Sequence, residues 1–251
     1  MDDEQLLNIA TEVGYLLLAS GAEIYRVEES VERILLAYGV EEADAFAIPS
    51  SLIVTVRREG MTHTQLRRVH DRGLDLSRVQ RYNDLCRRIC RDTPGLPAVL
   101  QELEAIKATP RRGLPMQVLA TALSSGAFAP FFGGSLPDAL CAALIGAALR
   151  LLLWQMDRFR ANSFFINIIA SGFSAAMAVL AVRAGLGRQV DKIVIAAFMN
   201  LVPGVAMTNA IRDIIAGDLV AGLTKLTEAL LTAIAMALGA GIAIAVTGYT
   251  P

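Results

Sequence analysis

The chain has 251 residues with 23 Lys and Arg against 24 Asp and Glu; the net charge of −1 is neutral on nucleic acid, and no basic arm or interleaving of aromatic and basic residues points to it. Its hydrophobic fraction of 54% and mean hydropathy of +0.49 are high for a water-soluble protein. Three cysteines, an odd number without a CxxC pair, fit a reduced compartment rather than a disulfide framework. Charge divides the chain near residue 112: residues 1–112 carry 18 Asp and Glu and 15 Lys and Arg, and residues 113–251 carry 6 and 8. Residues 1–5 are acidic, the wrong sign for the leading segment of a secretory signal, so residues 1–112 are expected to stay in the cytoplasm.

Leu6, Leu7, Val13, Leu16 and Leu17 fall near helical spacing and predict a first helix. Ser20 with Glu23 has the spacing of a capping box for a second helix. Along it Ile24, Val27, Val31, Ile34, Leu35 and Tyr38 make one apolar stripe that Gly39 stops. The opposite face carries Glu28, Glu29, Glu32 and Arg33 as a solvated surface, with Arg26 and Glu28 at the stripe's edge placed to pair internally. From 45 to 70 the period changes to two. Ala-Phe-Ala-Ile is followed by Leu-Ile-Val-Thr-Val, with Pro49 and two serines between, then by a turn at Glu59 and Gly60 and a polar third strand. His63 and His70 have no carboxylate or thiol at ligand spacing and read as surface residues, not as a metal site. Ser77 is placed to cap a helix through Arg91, in which Cys86 and Cys90 pack as small apolar side chains. Pro94 and Gly95 break it before a further helix opening at Pro97, with Val99, Leu100, Leu103 and Ile106 on one face. Arg111 and Arg112 then mark the membrane surface.

The charge-free runs 113–137, 161–182, 193–211 and 229–251 are each long enough to span about 30 Å of hydrocarbon at about 1.5 Å per residue. A fifth, 139–156, is interrupted only by Arg150, whose long side chain is expected to snorkel to the interface. The expected fold is an α-helical integral membrane protein: a cytoplasmic α+β domain over 1–112 and a membrane domain with five transmembrane helices over 113–251. Arg111, Arg112, Arg150, Arg158 and Arg160 belong inside by the positive-inside rule, with Arg183, Arg188 and Lys192 as the exception outside. The amino terminus is then cytoplasmic and the carboxy terminus outside. Within the spans, Ser124, Ser125, Ser171 and Ser174 are expected to bond back to their own helix carbonyls. Gly172 with Ala176, and Gly239 with Gly241, permit close helix packing. Asn167 and Asn200 need partners in hydrocarbon, either another helix or a substrate.

Residues 201–218 interrupt this pattern. Pro203 has no N–H to donate and Gly204 weakens helix continuation, so the helix breaks there. Irregular backbone at membrane depth is tolerated only where protein buries it or a watery cavity adjoins it, and broken helices are a recurring substrate site in transporters. Beyond the break, Thr208 with Arg212 and Asn209 with Asp213 are four apart and make two polar strips, followed by Asp218, Lys225 and Glu228. Arg212 and Asp213 either mark the cytoplasmic end of a span and pair with Asp218 or Lys225, or they line a substrate cavity, the reading favoured for ionisable groups at membrane depth. There is no nucleophile elbow, metal-ligand spacing, glycine-rich phosphate loop or Walker motif, so neither enzymatic activity nor a metal or other cofactor is expected.

Residues 20–30, Ser-Gly-Ala-Glu-Ile-Tyr-Arg-Val-Glu-Glu-Ser, and residues 200–218, Asn-Leu-Val-Pro-Gly through Ile-Arg-Asp and Gly-Asp, resemble the threonine/serine exporter family. The resemblance covers essentially the whole chain and implies a bacterial inner-membrane protein, with Gly21, Glu23, Arg26 and Glu28 as the motif of its cytoplasmic domain. It implies secondary export of small polar metabolites, threonine and serine first; split members of the family point to dicarboxylates such as succinate as the alternative. A membrane-anchored enzyme or sensor acting through residues 1–112 is the competing class. A zwitterionic substrate needs a partner for its carboxylate, which the helix start after Pro203 and Gly204 offers, with Arg212 second. The expected substrate set is Asn200, Pro203, Gly204, Thr208, Asn209, Arg212 and Asp213, with Asp218 and Glu228 as candidates for coupling. Fused members continue into a second membrane domain, so a separate small membrane subunit, a homo-oligomer or both are the expected partners.

Overall fold

The computed structural model describes residues 3–58, 60–70, 72–110, 112–159 and 162–249. Met1, Asp2, Glu59, Arg111, Arg160 and Pro251, which entered the expectations above, lie outside them. The described residues form ten helices and three strands, divided between two compact units. One unit joins Met1–Pro110 to Val205–Leu226, and the other joins Arg111–Gly204 to Thr227–Pro251.

In the first unit α1 (Asp3–Ala19) and α2 (Ile24–Ala37) precede β1 (Glu42–Ile48), β2 (Ser51–Arg58) and β3 (Met61–Arg68), an antiparallel sheet in that order. Two further helices, α3 (Leu76–Asp92) and α4 (Leu96–Ala108), follow, and α9 (Gly204–Ala216) with the first turns of α10 (Leu219–Thr247) completes the unit. Ile24, Val27, Val31, Ile34 and Leu35 of α2 are all buried, each burial being worth about 1.5–3 kcal/mol. The Glu29–Arg33 pair on the outer side spans 2.7 Å between half-exposed side chains and adds at most about 0.5 kcal/mol. Burial therefore decides which face of α2 turns inward. In β2, Leu52, Val54 and Val56 are buried in strict alternation, the period of a sheet with one face on a core.

Several local expectations are corrected. Glu28 and Glu32 do not form a solvated face. Their Oε1 atoms accept the N–H groups of Ala47 (2.7 Å) and Ala45 (3.2 Å) on the free edge of β1. Four residues of helix rise about 6 Å and two residues of strand about 6.7 Å, so the two spacings meet and side chains close that edge. Glu28 consequently does not pair with Arg26. No Ser20–Glu23 capping box forms, because Ser20 belongs to the exit from α1. Gly21, at φ +87, donates to the Leu18 carbonyl while Ala22 donates to that of Leu17, the paired bonds of a left-handed helix stop. The N-cap of α2 is Glu23, without a side-chain cap bond. Asp75 rather than Ser77 caps α3, its Oδ1 accepting the Arg78 N–H at 3.1 Å, since Ser77 already lies inside the first turn. His63 and His70 are exposed.

The second unit contains α5 (Leu114–Phe131), α6 (Leu136–Asp157), α7 (Ser163–Arg183), α8 (Val190–Phe198) and the remainder of α10. Helices α6, α7 and α10 are long and apolar enough to cross a membrane. Small residues hold much of their inner side and large ones much of their outer side: Ala142, Ala175, Ala178 and Ala235 are buried beside a few larger side chains such as Leu149, while Leu144, Phe165, Ile169, Ile234 and Ile242 face outward. Lipid gives large apolar side chains no reason to turn inward, so small residues that let backbones approach hold such helices together. A Cβ on Gly239 of α10 would collide with the Ile168 carbonyl of α7, and one on Gly172 would press on Gly239, whereas Gly241 meets nothing. Ser171 and Ser174 bond back to the Asn167 and Ala170 carbonyls at 2.7 and 2.9 Å. Arg150 is tied to Gln117 Oε1 of α5 by its Nε (2.9 Å) and Nη2 (2.5 Å) instead of reaching free to an interface. The run 193–211 is not one helix. The nine residues of α8 rise about 13 Å, less than half of a 30 Å hydrocarbon core, and turn residues 199–203 separate it from α9.

Candidate functional site

The first unit brings the two motif segments together around residues 21–24. Asn209 Nδ2 donates to the Gly21 carbonyl at 3.3 Å, and Lys225 Nζ donates to the Ala22 carbonyl at 3.3 Å. The Ile24 N–H donates to Asp213 Oδ1 at 3.0 Å, and Lys225 Nζ donates to Asp213 Oδ2 at 2.8 Å. Arg212 Nη1 donates to Glu23 Oε1 at 3.0 Å, and the other Glu23 oxygen lies 3.5 Å from Arg26 Nε. Local structure explains the convergence. The four-residue spacing of Asn209 and Asp213 aims both from one side of α9. Gly217, at φ +103, then reverses the chain. Gly222 has no side chain to strike the Ala210 carbonyl and Ile214, so α10 lies close enough to α9 for Lys225 to reach Asp213.

The first N–H groups of α2 have no intrahelical acceptor and carry the positive end of its dipole. Asp213, at 0% exposure, supplies an acceptor and a negative charge, and Lys225, at 15%, neutralises it. A buried carboxylate is costly unless paired and fully hydrogen-bonded, and here both oxygens are occupied. The Arg212–Glu23 pair is weaker, since the guanidinium side is 57% exposed and such pairs contribute at most about 1 kcal/mol. Acidic neighbours gather around the Asp213–Lys225 pair. Burial, with like charge from Asp218, Glu32 and Asp213, pushes the Glu28 carboxyl up to about 7 against the opposing Ala47 N–H. Asp218 is raised by burial and by Asp213, with Lys225 acting in the opposite direction.

The other candidates lie elsewhere. Asn200, Pro203 and Gly204 belong to the second unit, where Asn200 Nδ2 donates to Ser125 Oγ of α5 at 2.7 Å. Ser125 is thus the partner of an amide from the turn after α8 rather than bonded back along its own helix. Thr208 is exposed on α9, and Glu228 is exposed on α10 within the second unit.

Residues 8–247 match the family model described as "Putative threonine/serine exporter". The chain belongs to the threonine/serine exporter family. With its long apolar helices it is a membrane protein of that family. It is 24% identical to "Probable succinate transporter subunit YjjP" of Escherichia coli, over 96% of this chain and 94% of that one. It is 25% identical to "Probable threonine/serine exporter" of Mycobacterium tuberculosis, over 98% of this chain and 46% of the relative. It is 24% identical to "Threonine/serine exporter" of Corynebacterium glutamicum, over 95% of this chain and 50% of that one. The chain therefore spans about half the length of these two exporters. No solved structure matches it.

One residue of this exporter-family chain escaped the sequence reading. Asp138 of α6 is fully buried. Its Oδ2 accepts the Ser135 N–H (2.9 Å) and hydroxyl (2.6 Å), and its Oδ1 accepts the Arg188 (2.6 Å) and Gln189 (3.0 Å) N–H groups. It pins the link that leads into the short α8 to the start of α6. The Ser135 to Asp138 spacing is that of a capping box and was the available clue.

Proposed function

We propose that the chain is the five-span subunit of a secondary exporter that carries threonine and serine out of a bacterial cytoplasm, with residues 1–112 as its cytoplasmic domain. The observation that carries this reading is the interruption at 199–203, between a helix too short to span and one that starts afresh at Gly204. Non-helical backbone at that depth needs protein or a watery cavity around it, and a helix start offers N–H groups to a carboxylate. Asn200, Pro203, Gly204 and Thr208 make up the proposed substrate contacts. Asp213, with both oxygens engaged, positions α9 through Ile24 and Lys225, and Asn209 and Arg212 share that role. Asp218 and Glu228 remain the candidates for coupling.

Chain parity supports the topology. Val205–Leu226 packs within the same unit as Met1–Pro110, so an even number of crossings separates them. Helices α5, α6 and α7 are assigned three, and the short α8 together with the non-helical residues 199–203 is assigned the fourth. Residues 227–247 of α10, about 31 Å long, supply the fifth and leave the carboxy terminus outside. Arg112, Arg150 and Arg158 then fall on the inner side.

The second reading is dicarboxylate export, because the relatives that this chain covers almost end to end, at 94% and 90% of their length, are named succinate transporter subunits. The word subunit in those names supports a second membrane polypeptide as partner. Counterflow of labelled threonine, serine and succinate in proteoliposomes, with and without that partner, separates the readings. Threonine and serine counterflow supports the first, succinate alone selects the second, and none in the partner's presence removes both.

A further inference from the structure

Between α2 and α3 lies a cleft of about 340 Å³ that the transport reading does not use. Arg26, Ser30 and Arg33 line it from α2, and Asn83, Arg87 and Cys90 from α3. The spacing explains the arrangement, because residues four and then three apart share one side of a helix, and both sets follow that pattern. Three guanidinium groups face one acidic lining residue, Glu29, which pairs with Arg33 at 2.7 Å. Arg26 shares its only ion-pair partner among the described residues, Glu23, with Arg212. Arg87 has no ion-pair partner among the described residues. The lining, three Arg against one Glu, is thus left with two positive charges in excess. Its volume falls in the range of small-molecule sites, about 300–1,000 Å³. Guanidinium forks match the paired oxygens of carboxylate and phosphate, and a hydroxyl and an amide beside them add hydrogen bonds.

We propose that this cleft binds a small oxyanion carrying two negative charges, a dicarboxylate or phosphate. Such an ion ties α2 to α3 and, by drawing Arg26 toward it, acts on Glu23 beside the Ile24–Asp213 contact. The cleft is therefore placed to report the cytoplasmic level of an anion to α9.

The test uses the full chain in detergent, titrated with succinate and with inorganic phosphate, and with sodium chloride at matched ionic strength as control. Two readouts are followed: the melting temperature and the rate of maleimide labelling at Cys90. Cys90 is the partly exposed thiol, while Cys86 and Cys141 are buried, and burial pushes the Cys86 thiol up to about 12. At least one dianion is expected to raise the melting temperature saturably and to slow Cys90 labelling several-fold. Arg87→Ala, at an exposed position, is expected to weaken both effects by about tenfold or more. Arg91→Ala, on the same helix but outside the cleft, should leave them unchanged. The identity of the active dianion tells dicarboxylate from phosphate. Labelling no slower than in sodium chloride, or protection that persists in Arg87→Ala, overturns the proposal. So does a thermal shift without protection of Cys90, which would place the anion elsewhere.

Discussion

Asp213 has no exposure to water and holds one partner 189 residues back and another 12 residues on. Asp213→Asn keeps its shape and removes its charge, so Lys225 and the start of α2 lose their counter-ion together. Removing one side of a buried pair costs about 3–5 kcal/mol, and the partial exposure of Lys225 places the expected loss at the lower end. Thermal unfolding of the purified chain should show it. Lys225→Met should cost a similar amount, and the double variant less than the sum of the two, because the residues are in direct contact. A wild-type melting temperature for Asp213→Asn would mean that the pair gives no net stability. The sequence offered Lys225 as one partner for Asp213, but it favoured the reading in which this carboxylate lines a substrate cavity. The Ile24 N–H was not legible, because spacing rules relate residues within one element, and this contact joins two helices far apart in the chain. Arg212 went to Glu23 for the same reason.

Elements were legible where one periodicity held throughout. The α2 stripe, the alternation of β2 and the proline and glycine stops all follow from residues a few positions apart. Glu28 and Glu32 were misplaced because two carboxylates four apart look the same whether water or a strand edge faces them. The burial of Glu28 at that edge gives the packing of α2 on β1 a pH dependence. Folding raises the Glu28 carboxyl from 4.5 to about 7, so the native chain keeps a proton that the unfolded chain has lost. This contribution is fully present below about pH 4.5 and is lost as pH rises through 7. Stability should therefore decline between those values, and Glu28→Gln should flatten the decline in melts taken at pH 5, 6, 7 and 8. The proline–glycine break was also legible, but the end of α8 was not, since an apolar run looks alike on either side of a turn. Replacing Pro203 and Gly204 together by alanine allows α8 and α9 to join. The variant should insert but lose about tenfold or more in counterflow of the transported substrate, about 1.4 kcal/mol for each factor of ten. Undiminished counterflow would take the interruption out of the mechanism.

For the whole molecule, the change in charge density near residue 112 was plain in the sequence, whereas the return of Val205–Leu226 to the first unit was not. Apolar composition assigned 193–211 to one span; the break at Pro203 and Gly204 was legible within it, but only tertiary contacts show that the part beyond the break joins the first unit. The even number of crossings between the two parts of that unit is open to test with single cysteines in a cysteine-free background. Leu186→Cys, in the link before α8, should react with an impermeant maleimide on intact cells. Ile215→Cys, on α9, should react only after permeabilisation. Labelling of both from one face would break the five-crossing topology. The same return of the chain has a consequence for biosynthesis. The α2 start leaves the ribosome early, but the carboxylate that caps it is encoded 189 residues later, which at about 5–20 residues per second is a delay of roughly 10–40 s. Throughout that interval the amino-terminal part waits with an open helix end and an unfilled seat, and it closes only after α5 to α8 have been synthesised. Completion of the first unit is thus a late event in synthesis, set by the position of Asp213 in the chain.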